Sequence, residues 1–379
     1  HAATTPMVES SLLALNKQIK KLGNASSLHS AGRSVRKDLE TAREELAEAV
    51  GCDASEIIFT ATGTEANNLA IKGLFWKGVK ANKKVIITST FEHHAVMDPI
   101  VWLTEHEGAQ VVGISVDRKG FIDLAELEEV IEKYHDEISF ISIMHSNNEV
   151  GTLQDIAQVV KMARDIPVHS DCVQSFGKVD LSFKKLGLTA ATISAHKIGG
   201  PLGVAALILK KGLDIEPILH GGGQERDIRS GTFNTPGITA FAAAATDAVE
   251  NRKERELKVR ELKKELIQTI KKNVSDIVVN ADQEKSLPGI LSITFPKTDS
   301  EGLLLLLDAE GIACSTGSAC SAGVQRPSHV LLAMGLSEDE TTSTLRFSLS
   351  YTNTINEIAR LGSVISSVVA RSKSASGKK

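Results

Sequence analysis

The sequence predicts an α/β protein: a large domain with a mostly parallel sheet covered by helices, followed by a smaller α+β domain. Three observations predict it. Short apolar segments alternate with amphipathic ones along most of the chain. The alternation stops near residue 250, where charged residues become dense. The chain has 379 residues, enough for two domains at roughly 100–200 residues each. The expected boundaries are 11–250 for the large domain and 251–379, joined by 1–10, for the small one.

Taken in order, the first clear helix places Val35, Leu39, Ala42, Leu46 and Ala49 on one face, with Gly51 positioned to stop it. Strands are expected at Glu56–Thr60, Val85–Thr90, Val111–Val116, Ile138–Met144, Val168–Asp171, Ala190–Ser194 and Gly203–Leu209. A helix from Asp155 would bury Ile156, Val159, Val160 and Ala163. Such alternation implies a parallel sheet with helices on both faces. Ligands of these sheets sit beyond the carboxyl ends of the strands. Ile238–Val249 and Leu303–Leu307 are the most apolar runs. Both fall short of the ~20 residues that cross a bilayer, so both are expected to be buried core. Residues Asn251–Lys272 read as a long, largely exposed helix with Leu262, Leu266 and Ile270 on its inner face. Strands at Ile277–Asn280, Ile290–Phe295 and Leu345–Leu349 would complete the small domain.

Hydrophobic residues are 42% and charged residues 24% of the chain, the balance of a soluble globular protein. A net charge of −4 favours neither direct nucleic-acid binding nor a membrane surface. The basic tail from Arg371 to Lys379 reads as a frayed end. No basic region followed by an apolar one marks a secretory signal. The four cysteines, Cys52, Cys172, Cys314 and Cys320, include no CxxC pair. They make no disulfide framework, and a reducing, cytoplasmic compartment is expected. His93, His94, His145 and His169 match no metal-ligand spacing, so no metal is expected.

Four segments could carry chemistry. Ser194-Ala195-His196-Lys197 ends a strand, and Gly199, Gly200 and Gly203 follow it. A desolvated lysine there could form a Schiff base with a carbonyl cofactor. Asp171-Cys172-Val173-Gln174 ends the preceding strand and could set an acid beside a protonated ring nitrogen. Thr60 to Glu65 joins a strand to a helix, where backbone N–H groups can meet a phosphate. Cys314 to Gly323 is rich in small residues and suits a mobile surface loop with an accessible thiol at Cys320. Cys52 and Cys172 read instead as buried and inert, and Cys314, beside the apolar Ile312-Ala313, as structural. Singly, each segment also has a plainer reading: a solvated lysine, an N-capping aspartate, a common turn.

Together and in order, these segments resemble the cysteine desulfurases of the NifS/IscS class, fold-type-I pyridoxal 5′-phosphate (PLP) enzymes of the class V aminotransferase family. The likeness extends over nearly the whole chain. It rests on Ala2-Ala3-Thr4-Thr5-Pro6, Gly63-Thr64-Glu65, Glu92-His93, His145 to Glu149, Asp171 with Gln174, His196-Lys197, Gly221 to Arg226, Arg229 to Thr232, and Gly317-Ser318-Ala319-Cys320. The last piece, with Thr316 ahead of it, points to the subclass with the longer catalytic loop.

The resemblance implies a transferase that converts L-cysteine to L-alanine. Lys197 would bind PLP and move the Cα proton, and His93 would stack on the ring. Asp171 would pair with the pyridinium nitrogen, and Gln174 with the ring hydroxyl. Gly63, Thr64, Ser194 and His196 would hold the phosphate, and Thr232 would reach the phosphate of the other subunit of a homodimer. Asn148 and Arg346 would hold the substrate carboxylate. Cys320 would carry the sulfur as a persulfide to an acceptor protein for iron–sulfur cluster biosynthesis or tRNA thiolation. Other PLP chemistry on the same fold and a non-catalytic scaffold are the competing readings.

The chain departs from the pattern at three places. Ala61-Thr62 replaces a serine–glycine pair, so Thr62 is expected to be strained or to take over a hydroxyl contact. Asp227 stands where glycine is usual, and Asn24-Ala25-Ser26 lacks a usual proline.

Overall fold

The computed structural model describes residues 1–317 and 327–376. After helix α1 (Glu9–Gln18) comes α2 (Ser30–Val50), which ends as expected on Gly51 in the left-handed conformation (φ 74°). A larger sheet then follows: β1 (Ile57–Thr60), β2 (Val85–Ser89), β3 (Gln110–Ile114), β4 (Ile138–Ser142), β5 (Val168–Asp171), β6 (Ala190–Ser194) and β7 (Ala205–Leu209). Its order is β1-β7-β6-β5-β4-β2-β3. Only β7 runs antiparallel, to both β1 and β6.

Every strand of this sheet except the edge strand β3 is buried along its length, which explains the continuous apolar runs. Strand residues alternate between two cores by the period of two. Ile57 and Phe59 face the core that holds Leu39, Leu46 and Phe241. Ile58 faces the opposite core, with Leu69, Leu74 and Phe75 of α3 (Gly63–Val79) and Leu103 of α4 (His94–Glu107). Each fully buried Leu, Ile or Phe contributes about 1.5–3 kcal/mol. Helix α3 lies so close to the sheet that a Cβ on Gly78 would collide with Ser139 Oγ.

The face that buries Leu39 is closed by α2 with α5 (Leu124–Tyr134), α6 (Ile156–Ala163), the one-turn α7 (Phe183–Leu186) and α8 (Thr235–Glu250). Asp155 caps α6 by accepting from Gln158 N. Helix α9 (Arg252–Asn273) then leads to a second sheet. This is antiparallel, in the order β10 (Ser315–Thr316), β11 (Thr344–Ser348), β9 (Ile290–Thr294) and β8 (Val278–Val279). Leu262, Leu266 and Ile270 of α9 pack on its Leu291, Ile293 and Leu345, with Leu303 of α10 (Ser300–Ala309). Late in the chain, α11 (His329–Ala333) returns Val330 and Leu331 to the core of the larger sheet. The one-turn α12 (Glu338–Thr341) and α13 (Ile355–Ser376) complete the described chain.

Two details differ from expectation. The Leu303–Leu307 run is amphipathic rather than buried throughout: Leu303 and Leu307 are inside, whereas Leu305 is 67% exposed. Cys52 is half-buried rather than buried. Among the described residues no helix is long and apolar enough to cross a membrane.

Candidate active site

The carboxyl ends of β1, β2, β4, β5 and β6 open into one cleft of about 810 Å³. Gly63, Thr64, His93, Asn148, Asp171, Gln174, Ser194, His196, Lys197 and Arg346 all line it. Thr232 does not; it is exposed on a neighbouring loop. Cys320 lies outside the described residues.

At the end of β1 the chain turns through Ala61 into α3. Thr62 is the N-cap (φ −147°), and its Oγ1 accepts from Glu65 N at 3.0 Å. The residue is thus in ordinary extended backbone, unstrained, and its hydroxyl is committed to the helix. Glu65 accepts from Ala61 N at 2.8 Å and from Arg229 Nε at 2.7 Å, which ties the turn to the loop that carries Thr232. That loop is where strain does sit: Arg226 and Asp227 have φ of 54° and 60°, the left-handed region that suits glycine. Helix α3 therefore points the positive end of its dipole and its first N–H groups at the cleft.

Asp171 closes β5. Its Oδ1 accepts from Val173 N at 2.9 Å and its Oδ2 from Asn67 Nδ2 at 2.8 Å, so the carboxylate plane is fixed from two sides. Gln174 donates from Nε2 to Ala2 O at 2.9 Å. Ser194 closes β6, and Ala195–Lys197 forms a single 3₁₀ turn. The N-terminal segment crosses this turn, with Val8 N donating to Gly199 O. Lys197 Nζ donates to Ala2 O at 2.8 Å and Ala3 O at 2.7 Å. Burial, with Lys197 and Lys178 nearby, pushes His196 down to about 4, so its ring is neutral at physiological pH.

His93 caps α4, with Nδ1 accepting from Ala95 N at 3.0 Å. Its neutral ring must then carry the proton on Nε2. Burial holds its pKa below the usual range, against the pull of Asp171. Arg346, 5% exposed on β11, donates from Nη1 to Asn148 O at 2.7 Å. Next to Asn148, Glu149 accepts from Ser328 Oγ at 2.6 Å, and burial raises its pKa.

The cleft thus brings together a primary amine, a fixed carboxylate, an imidazole, a helix N-terminus and a buried guanidinium. That donor set suits a ligand with a carbonyl, a basic ring nitrogen and a phosphate, beside a carboxylate-bearing substrate. Elsewhere, His169 is fully buried between Ser142 Oγ and Thr192 Oγ1, and His145 contacts Ser175 Oγ. Burial brings both to about 4. Cys52, Cys172 and Cys314 are all pushed up to about 12 by burial. None of these three thiols is a ready nucleophile.

Asn67, Lys178 and His329 were missed by sequence reasoning, and Glu149 was read only within the His145 to Glu149 piece, with no role. Asn67 had a signal: it stands three and four residues after Thr64 and Gly63, one turn along the same helix face. Glu149 adjoins Asn148 and Lys178 lies four residues after Gln174, whereas His329 reaches the site through tertiary packing.

The family model described as Aminotransferase class-V matches residues 1–361. An IscS-like cysteine desulfurase of Mycobacterium tuberculosis is 43% identical over 380 residues, covering 99% of this chain and 96% of that protein. A solved NifS-like protein superposes with a TM-score of 0.90 at 34% identity, over 98% of both chains. Another, described as SspA in complex with cysteine, gives 0.78 at 32% identity, over 93% of this chain and 98% of that one. Fold, site and similarity agree: the chain belongs to the class-V aminotransferase family, among the cysteine desulfurases of the NifS/IscS class.

Proposed function

We propose that this chain is a PLP-dependent cysteine desulfurase that converts L-cysteine to L-alanine and passes the sulfur on through Cys320. The observation that carries the reading is the amine of Lys197 in one cleft with the Asp171 carboxylate, the first in the turn that follows β6 and the second at the end of the neighbouring β5. The donor set fits PLP: Lys197 for its carbonyl, Asp171 for its ring nitrogen, and the α3 N-terminus with Ser194 and His196 for its phosphate. When bound, PLP supplies an electron sink for the pair left as Cα loses its proton. Lys197 moves that proton. Asn148 and Arg346 would hold the substrate carboxylate, and His93 would offer its Nε2–H to the bound cofactor. The Cys320 thiolate would take the substrate sulfur: the Cβ–S bond breaks, an S–S bond forms, Cβ gains a proton and Cα regains the one it lost. Cysteine and a thiol thus become alanine and a persulfide, with no outside oxidant. A solved relative described as bound to cysteine supports the substrate.

In this reading residues 11–250 form the cofactor-binding domain, and 251–379 with 1–10 carry the Cys320 segment. The working unit is a homodimer in the cytoplasm, with Thr232 completing the partner's phosphate site. Its exposure outside the cleft of its own chain supports that role. The acceptor is an iron–sulfur scaffold or tRNA-thiolation protein. The test is mass spectrometry after brief exposure to cysteine without reductant. One added sulfur is expected on the Cys320 peptide; Cys320→Ser should retain PLP yet release almost no alanine. Sulfur mapped to another cysteine, or normal turnover in Cys320→Ser, would overturn the assignment.

A further inference from the structure

Lys178 has no part in the chemistry above, yet it reaches the site. It lies in the turn after β5, half-buried, and its Nζ donates to Gln174 Oε1 at 3.1 Å. A protonated lysine offers only donors. The carbonyl of Gln174 must therefore face it, and the carboxamide cannot be turned over. Its nitrogen points the other way, to Ala2 O at 2.9 Å, and the same oxygen receives Lys197 Nζ at 2.8 Å. The four groups form one chain, with the N–H bonds of both lysines and of Gln174 aimed along it toward Ala2.

We propose that Lys178 is a positioning residue that fixes the carboxamide of Gln174, so that an N–H and never the C=O faces the cofactor ring and Lys197. A glutamine alone has no such preference, because its two ends are nearly the same size. A donor facing the ring oxygen of PLP stabilises it as the anion; an acceptor there would repel it. Lys197 and Arg346 act on Lys178, and it acts in turn on the His1 amine and on His196. Burial, with Lys197 and Arg346, brings it down to about 7.

The inference rests on the PLP reading, and the experiment separates the two. Lys178→Arg keeps a donor-only group, Lys178→Gln can present either end, and Lys178→Met presents neither. Each apoprotein is titrated with PLP, and the visible band of the lysine-bound cofactor is followed against pH. The expected order of affinity is wild type and Lys178→Arg together, then Lys178→Gln, then Lys178→Met about tenfold weaker, the worth of one hydrogen bond. The pH midpoint of the band should move in Lys178→Met and stay in Lys178→Arg. A purely structural role would lower thermal stability without moving that midpoint. If Lys178→Met fails to fold, Lys178→Gln decides. An unmoved midpoint and unchanged affinity in the folded variants would overturn the inference. A wild-type protein that forms no visible band with PLP would instead overturn the reading beneath it.

Discussion

Glu92→Gln should change how stability depends on pH. Glu92 is fully buried between the ends of β2 and β4. Its Oε1 accepts from Ser89 Oγ at 2.6 Å and from Met144 N at 2.8 Å, while Oε2 meets no hydrogen-bond partner among the described residues. Burial outweighs those two bonds and pushes the carboxyl from 4.5 up to about 8. Between those values the folded protein holds a proton that the unfolded chain has released. Stability therefore falls as pH rises through the window, by about 1.4 kcal/mol per unit. The ceiling over the whole window is about 5 kcal/mol, and water entry around the new charge should leave about 2–4. Glutamine keeps an acceptor for Ser89 and Met144 and takes up no proton, so this slope disappears. Any cost of its buried NH₂ group is the same at every pH. The assay is urea unfolding of both proteins at pH 5 and pH 8.5 in PLP-saturated buffer. The variant should gain about 2–4 kcal/mol on the wild type between the two conditions. A difference between the proteins that stays constant to within about 0.5 kcal/mol would refute the reasoning.

Two further outcomes are expected. Arg43→Met removes a bidentate partner, with both bonds at 3.0 Å, from Glu225, which is 2% exposed. It should cost about 3–5 kcal/mol, and adding Glu225→Gln should recover part of it. A loss under about 1 kcal/mol, measured by denaturant unfolding, would count against a strained carboxylate. Asp227→Gly relieves a left-handed residue (φ 60°) and should stabilise by about 0.5–1 kcal/mol, read as a small rise in Tm; a fall would show that the Asp227 side chain holds its loop.

The strands of the larger sheet were legible to within a residue or two, because all but the edge strand β3 are buried on both faces and written as unbroken apolar runs. The reversal of β7 was not legible, since its Ala205–Leu209 run looks like any parallel strand. Helix α9 shows the limit of composition. Its charge density reads as exposure, yet Lys263 is 4% exposed, with Nζ bonded to Ser286 Oγ and Leu287 O. In the site, Lys197 and Asp171 could be read because Asp171 ends a strand and Lys197 follows one directly. The hydrogen bond from Asn67 to Asp171 spans 104 positions in the chain. The lock of Lys178 on Gln174 depends on the local turn after β5. Neither pairing leaves a periodic trace.

The reversed strand has a consequence for the lysine. In a βα unit the residue after a strand opens a loop that can shift with its helix. Here the chain leaves β6 at Ser194, makes the turn that holds Lys197, and is back in register by Ala205, directly opposite Ser194. Lys197 is thus mounted on a short tether pinned at both ends to the middle of the sheet. The backbone at this point is a fixed pivot. Any travel of the amine between the Ala2 and Ala3 carbonyls and a bound ligand has to come from rotation about the bonds of its own side chain.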